Sequence, residues 1–256
     1  MSGTLMRKVA ILGGTFDPVH WGHLLIAETA LNQVALEQVI WVPTRCPPHK
    51  LAAKFENRWE MVQRAIADHP AFTISPLAAN RGTSYAVQTL IDLKALYPNT
   101  HWYWLVGLDA FQTLPRWYRR QELASACDWL VVPRLVSAAP VETMALSGAG
   151  EQGKLFLEQG EQGSRGSALC PPGADGSLRR RNVTCTEVES ICKEVVQQLS
   201  AQCINIHYQL LQLPLLGVSS SLIRQYCRDG SSIRYLVPEA VRQYITKHNL
   251  YAEGSR

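Results

Sequence analysis

Apolar positions along the chain fall into two rhythms. Short continuous runs at residues 9–12, 38–43, 101–106 and 128–132, with a briefer one at 72–75, read as strands buried on both faces. Between them the period becomes helical. Leu24, Leu25, Ala27, Leu31 and Val34 recur at helix spacing after Gly22, and Trp59, Val62, Ala65 and Ile66 do so within 58–69. Val87, Leu90, Ile91 and Leu93 mark one face of a helix over 85–96, and 119–127 reads as another. Strand, helix, strand implies right-handed parallel crossovers. The alternation therefore predicts an α/β protein with a doubly wound, Rossmann-like parallel sheet.

The rhythm then breaks. Residues 147–181 hold eight of the seventeen glycines, the Gly-Glu-Gln-Gly repeats and Pro171-Pro172, with little to bury. Such a stretch cannot offset its ordering entropy by packing, so disorder is the expectation. Helical spacing returns over 187–199 with Val188, Ile191, Val195 and Val196. Residues 203–213 alternate enough for a last strand. Helices over 222–228 and 238–247 finish the pattern, the first introduced by Ser219 to Ser221 as a capping run and the second by Pro238 in its first turn.

Composition narrows the class without extremes. A chain of 256 residues that is 46% hydrophobic can bury a sizeable core. A formal charge of +4 suits polyphosphate ligands, and no basic run with interleaved aromatics argues for nucleic acid. The seven cysteines, at 46, 127, 170, 185, 192, 203 and 227, are odd in number and form no C-x-x-C pair, as expected of a reduced cytosolic chain. No signal segment follows Met6-Arg7-Lys8, and no run approaches the roughly 18 apolar residues of a membrane helix. A soluble cytoplasmic protein is the expectation.

The candidate chemistry lies where the first strand ends. Gly13-Gly14 lets the backbone turn sharply and approach a ligand. Asp17-Pro18 reads as a turn. His20 and His23 then fall at a helix start, beside backbone N–H groups that favour anions. Open α/β sheets bind ligands at this end of their strands, so two imidazoles there suit phosphate oxygens.

These residues carry a resemblance. GGTFDPVHWGH at 13–23 is similar to the first signature of the HxGH nucleotidylyltransferases, and GVSSSLIR at 217–224 to their second. With PPHK at 47–50, GTSYA at 82–86 and GLDAFQTLPRW at 107–117, the set resembles the bacterial nicotinate mononucleotide adenylyltransferases. That family crosses the gap after Arg134 in fewer residues, so the chain divides into an α/β core over 1–136, an insertion over 137–183 and, over 184–256, the rest of the same domain.

The resemblance implies transfer of the adenylyl group of ATP to nicotinate mononucleotide, with Mg2+ accompanying ATP and no dedicated protein ligand for it. It assigns His20, His23 and Arg224 to catalysis, and Gly13, Gly14, Thr15, Phe16, Gly107, Asp109, Ser219 and Ser220 to the ATP pocket with them. Lys50, Thr83, Ser84, Tyr85, Trp117 and Arg134 fall to the nicotinate nucleotide, Trp117 as the ring that stacks on the pyridine. Ser221 replaces the usual threonine and keeps its hydroxyl. The implied partners are these two small molecules, without nucleic acid or membrane, and a homo-oligomer stays open. Other readings remain: nicotinamide mononucleotide as the main substrate, pantetheine-phosphate adenylyl transfer, an NAD-dependent oxidoreductase, or a nucleotide-sensing protein on the same fold.

Overall fold

The structure, a computed structural model, describes residues 6–47, 52–75, 77, 85–133, 185–214 and 217–252. Strand β1 (Arg7–Gly14) leads into α1 (Trp21–Val34), β2 (Gln38–Pro43), α2 (Phe55–Ala65) and β3 (Phe72–Ile74). Then follow α3 (Ala86–Leu96), β4 (Thr100–Gly107), the short α4 (Leu108–Gln112), a 3-10 turn at Leu114–Arg116, α5 (Arg120–Ala124) and β5 (Asp128–Val132). Helix α6 (Cys185–Ser200), β6 (Tyr208–Leu210), α7 (Ser220–Arg228) and α8 (Glu239–Lys247) complete the order. The chain divides into two units, one formed by Met1–Leu135 with Val183–Arg256 and the other by Val136–Asn182. The expected insertion over 137–183 lies outside the described residues.

The six strands are parallel and stand in the order β3-β2-β1-β4-β5-β6. This is the doubly wound arrangement that the alternation predicts. The strand order reverses between β1 and β4, where Leu12 pairs with Leu105. Two positions further on, Gly14 and Gly107 end their strands side by side, at the switch point where such sheets bind ligands.

Period-two alternation sorts the central strand between two cores. Val9 and Ile11 pack with Val87, Leu90 and Leu93 of α3, Phe111 of α4 and Val188 and Val195 of α6. Ala10 and Leu12 pack on the other face with Ala27 and Ala30 of α1, Met61 and Val62 of α2 and Val241 and Ile245 of α8. Burial of each Val, Leu, Ile, Met or Phe side chain among these contributes about 1.5–3 kcal/mol. The sheet is thereby clamped on both faces, which makes its carboxyl edge a rigid platform.

Several boundaries differ from the periodicity. Helix α2 begins earlier than residue 58, because Phe55 joins the apolar face, and it stops at Ala65. Pro70 lies soon after and disfavours helix at His69. Helix α5 is shorter than 119–127: Arg119 has a left-handed φ of 49°, and the Ser125 hydroxyl donates to the Gln121 carbonyl at its end. The strand expected over 203–213 pairs only at Tyr208–Leu210, as an edge strand against β5. Pro238 is the N-cap of α8 and does not lie within its first turn.

Candidate active site

Residues 15–20 form the turn between β1 and α1. Phe16 takes a φ of 50°, and its buried ring packs on Trp41 and edge-on to His23, with centroids 5.1 Å apart. A Cβ on Gly14 would approach that ring to 2.9 Å, so the close strand-to-loop approach requires glycine there. The Phe16 side chain is therefore part of the core.

His20 is the N-cap of α1, with extended φ and ψ of −150° and 170°. Its Nδ1 accepts from the Gly22 N–H at 3.1 Å, while the His23 Nδ1 accepts from the His20 N–H at 3.2 Å. The two imidazoles close a reciprocal capping box with ring centroids 3.8 Å apart. A neutral imidazole whose Nδ1 accepts a hydrogen bond carries its proton on Nε2. Both histidines are thus set as Nε2–H donors at the start of a helix, the geometry that suits phosphate oxygens. His20 is 7% exposed and His23 half-buried.

The second signature meets the first from behind. Ser219 caps α7, its Oγ accepting from the Leu222 N–H at 3.2 Å. The Ser220 hydroxyl donates to the Pro18 carbonyl at 2.9 Å. Arg224 Nη1 donates to the Asp17 carbonyl at 2.7 Å and lies 3.7 Å from its carboxylate, and Nη2 donates to Ser221 Oγ at 3.3 Å. Two of the five guanidinium N–H groups are so engaged, and the side chain is 29% exposed.

Two buried charged groups outside the assigned site residues brace the turn. Asp17, 4% exposed, accepts at Oδ1 from the Ala53 N–H at 3.1 Å and from the Tyr251 hydroxyl at 2.7 Å. Arg58, 1% exposed, spends its guanidinium on three carbonyls: Thr15 at 2.7 Å, Arg45 at 2.9 Å and Ala53 at 2.9 Å. Burial lowers the Arg58 pKa, and the Asp17 charge pulls it back up. Burial, then the same carboxylate, raises that of the Tyr251 hydroxyl, which keeps it a donor. The signal for Arg58 was available, since positions 58, 62 and 65 share the buried face of α2. Nothing in the sequence pattern signalled Tyr251.

The second group of candidate residues follows β4. Gly107 is the N-cap of α4, where a Cβ would meet nothing within 4 Å, and Asp109 stands exposed in the first turn. Trp117 is half-buried, its Nε1 donating to Thr113 Oγ1 at 2.9 Å and its ring meeting Trp129 edge-on at 6.0 Å. It is anchored by core yet keeps an exposed part. Tyr85 caps the start of α3 with its ring exposed and 4.6 Å from that of Tyr118, a neighbour the sequence patterns did not single out. Lys50, Thr83, Ser84 and Arg134 lie outside the described residues.

Among the described residues no three His, Cys, Asp or Glu side chains gather as a metal-ligating group, and no helix is long and apolar enough to cross a membrane. The starts of α1 and α7 and the Arg224 guanidinium meet at the turn over residues 15–20, a setting of N–H donors that suits anions.

Comparison with known proteins supports the same reading. Residues 11–226 match the cytidylyltransferase-like family. The chain is 52% identical over 251 residues to a protein of Trichormus variabilis named "probable nicotinate-nucleotide adenylyltransferase", covering 98% of this chain and all of the relative. The chain belongs to the nicotinate-nucleotide adenylyltransferase family. A Nostoc relative of the same name is 51% identical over the same length. Among solved structures, Plasmodium falciparum nicotinic acid mononucleotide adenylyltransferase in complex with NaAD superposes with a TM-score of 0.63. At 19% identity over 96% of this chain and 97% of that one, the likeness establishes a shared fold. Family membership accounts for the conjunction of both signatures around the turn at 15–20.

Proposed function

We propose that the chain transfers the adenylyl group of ATP to nicotinate mononucleotide, forming nicotinate adenine dinucleotide and pyrophosphate in NAD biosynthesis. A phosphate oxygen of the mononucleotide attacks the α-phosphorus of ATP. The bond from that phosphorus to the oxygen bridging the α and β phosphates breaks, and its electron pair leaves with pyrophosphate. The attacking phosphate already carries about −1.5 to −2 charges near neutral pH, so the site need not create a nucleophile. What it must supply is alignment and stabilisation of charge on the transferred and leaving groups.

The observation that carries this reading is the mutual capping of His20 and His23. Each Nδ1 is occupied by a backbone N–H, so neither ring can abstract a proton there, and both present Nε2–H donors. Imidazole N–H groups, the starts of α1 and α7 and the Arg224 fork suit the α, β and γ phosphates. Gly13, Gly14 and Thr15, at and just past the carboxyl end of β1, are proposed for the same pocket, with Gly107 and Asp109, at the end of β4 and the start of α4, as the ribose contacts. Trp117 and Tyr85, with Lys50, Thr83, Ser84 and Arg134, are proposed for the nicotinate nucleotide. A donor set of this kind complements phosphate oxygens, so Mg2+ is expected to enter bound to ATP, where it neutralises polyphosphate charge.

The test is pyrophosphate release by the purified chain with ATP, Mg2+ and either nicotinate or nicotinamide mononucleotide. Turnover is expected with both and faster with the acid. Release from neither, with ATP still bound, would show a nucleotide sensor on the same fold.

A further inference from the structure

The buried Asp17 lies three residues before His20, and three remote segments converge on it. The Ala53 N–H and the Tyr251 hydroxyl both donate to Oδ1, at 3.1 and 2.7 Å, while Arg224 reaches the Asp17 carbonyl at 2.7 Å and lies 3.7 Å from Oδ2. The next carbonyl along, that of Pro18, takes the Ser220 hydroxyl. The carbonyls of Asp17 and Pro18 and the Asp17 carboxylate are therefore fixed from outside the turn, two and three residues before the N-cap of α1.

Tyr251 differs from the other partners in how it arrives. It follows α8 in a segment where Asn249 and Tyr251 itself hold left-handed φ values of 48° and 68°. Asparagine enters that region readily, but for a tyrosine it carries a steric cost that packing and bonding must offset. Here it delivers a phenol hydroxyl to an otherwise buried carboxylate. The Asp17 carboxylate then has hydrogen bonds from two neutral donors, and the Arg224 guanidinium sits at its edge with N–H groups still to give. Losing the Tyr251 donor would let the carboxylate draw on Arg224 more fully and shift the turn that carries His20.

We infer that Tyr251 is a positioning residue for adenylyl transfer: by donating to Asp17 it holds the β1–α1 turn, and with it the His20 and His23 donors and the Arg224 fork, in register with the phosphates. The inference rests on the adenylyl-transfer reading above. Tyr251 touches no reacting atom in it and acts through Asp17. A merely structural tyrosine would alter stability and leave turnover by the folded protein unchanged.

The experiment replaces Tyr251→Phe, which removes one oxygen, and Asp17→Asn, which keeps the shape of the turn should the first variant fail to fold. Each is assayed well below its own melting temperature, for kcat and for both KM values. Imidazole nitrogen shifts of His20 and His23 are recorded without substrate. A kcat about tenfold lower with KM values little changed is expected in either variant, and the double variant should be no slower than Asp17→Asn alone, as for residues acting as one unit. The nitrogen shifts should move away from the Nε2–H pattern. Unchanged kcat and unchanged shifts in a folded variant overturn the inference, even if the melting temperature falls. Wild-type protein that makes no dinucleotide overturns the functional reading alone, and the nitrogen shifts then decide the positioning role.

Discussion

A Cβ at Gly22 would lie 3.0 Å from both Cε1 and Nδ1 of His20, tighter than most packed side-chain contacts, so the imidazole would have to give way. The Gly22 N–H is also the donor that fixes the His20 tautomer. Gly22→Ala should therefore rotate the imidazole off its cap and lower kcat about 10- to 100-fold, the usual effect of misplacing a catalytic group by an ångström. Folding stability should stay within about 1 kcal/mol, since alanine is the better helix former. Steady-state kinetics beside a thermal melt would check both, and an unchanged kcat would remove His20 from the donor set. At this scale the sequence was informative where chemistry recurs at short spacing. His20, Gly22 and His23 fall within four consecutive positions and announce themselves. Asp17 read only as half of a turn, because its partners Ala53, Arg224 and Tyr251 are far off in sequence and no local period links them. Phe16 was assigned to the nucleotide by its place in the motif, and its ring is buried against Trp41 and His23, a packing role that the motif does not announce.

Helix α7 shows how one element serves structure and site at once. Ser219 satisfies an orphan N–H of its first turn, Ser220 ties that turn to the Pro18 carbonyl, and Arg224 one turn later reaches the Asp17 carbonyl. Ser219→Ala should cost about 1 kcal/mol in denaturant unfolding, with Ser219→Asp restoring most of it, as for any N-cap. A loss near zero would mean the hydroxyl serves only the ligand. Elements with a long apolar period were legible. Those ended by a hydrogen bond or a proline were not: α2 stops before Pro70, α5 stops at the Ser125 back-bond, and β6 is three residues long because only Tyr208–Leu210 finds a partner in β5.

Across the whole molecule, the parallel order β3-β2-β1-β4-β5-β6 brings residues 13–23 and 107–117 to one edge, and α7 carries residues 219–224 onto the same turn from far along the chain. The alternation of strands and helices made that sheet readable, and the resemblance named the chemistry. Burial also predicts alkaline sensitivity. Desolvation pushes the Cys127 thiol up to about 12 and that of Cys192 to about 11. Above pH 9 the unfolded chain loses these protons while the folded chain keeps them, so stability is full below that pH and falls as pH rises towards 11–12. Urea midpoints at pH 8 and pH 10 would test this, and a rise at pH 10 would contradict it. The central claim is that the paired histidines act by donating to charge that develops on the phosphates. It is tested most directly by His23→Ala assayed for kcat and for the KM of ATP. A kcat lower by about 10²- to 10³-fold, the scale of one lost transition-state donor, with KM nearly unchanged, is the predicted result. A raised KM with kcat intact would contradict it, leaving His23 as a ground-state binding residue.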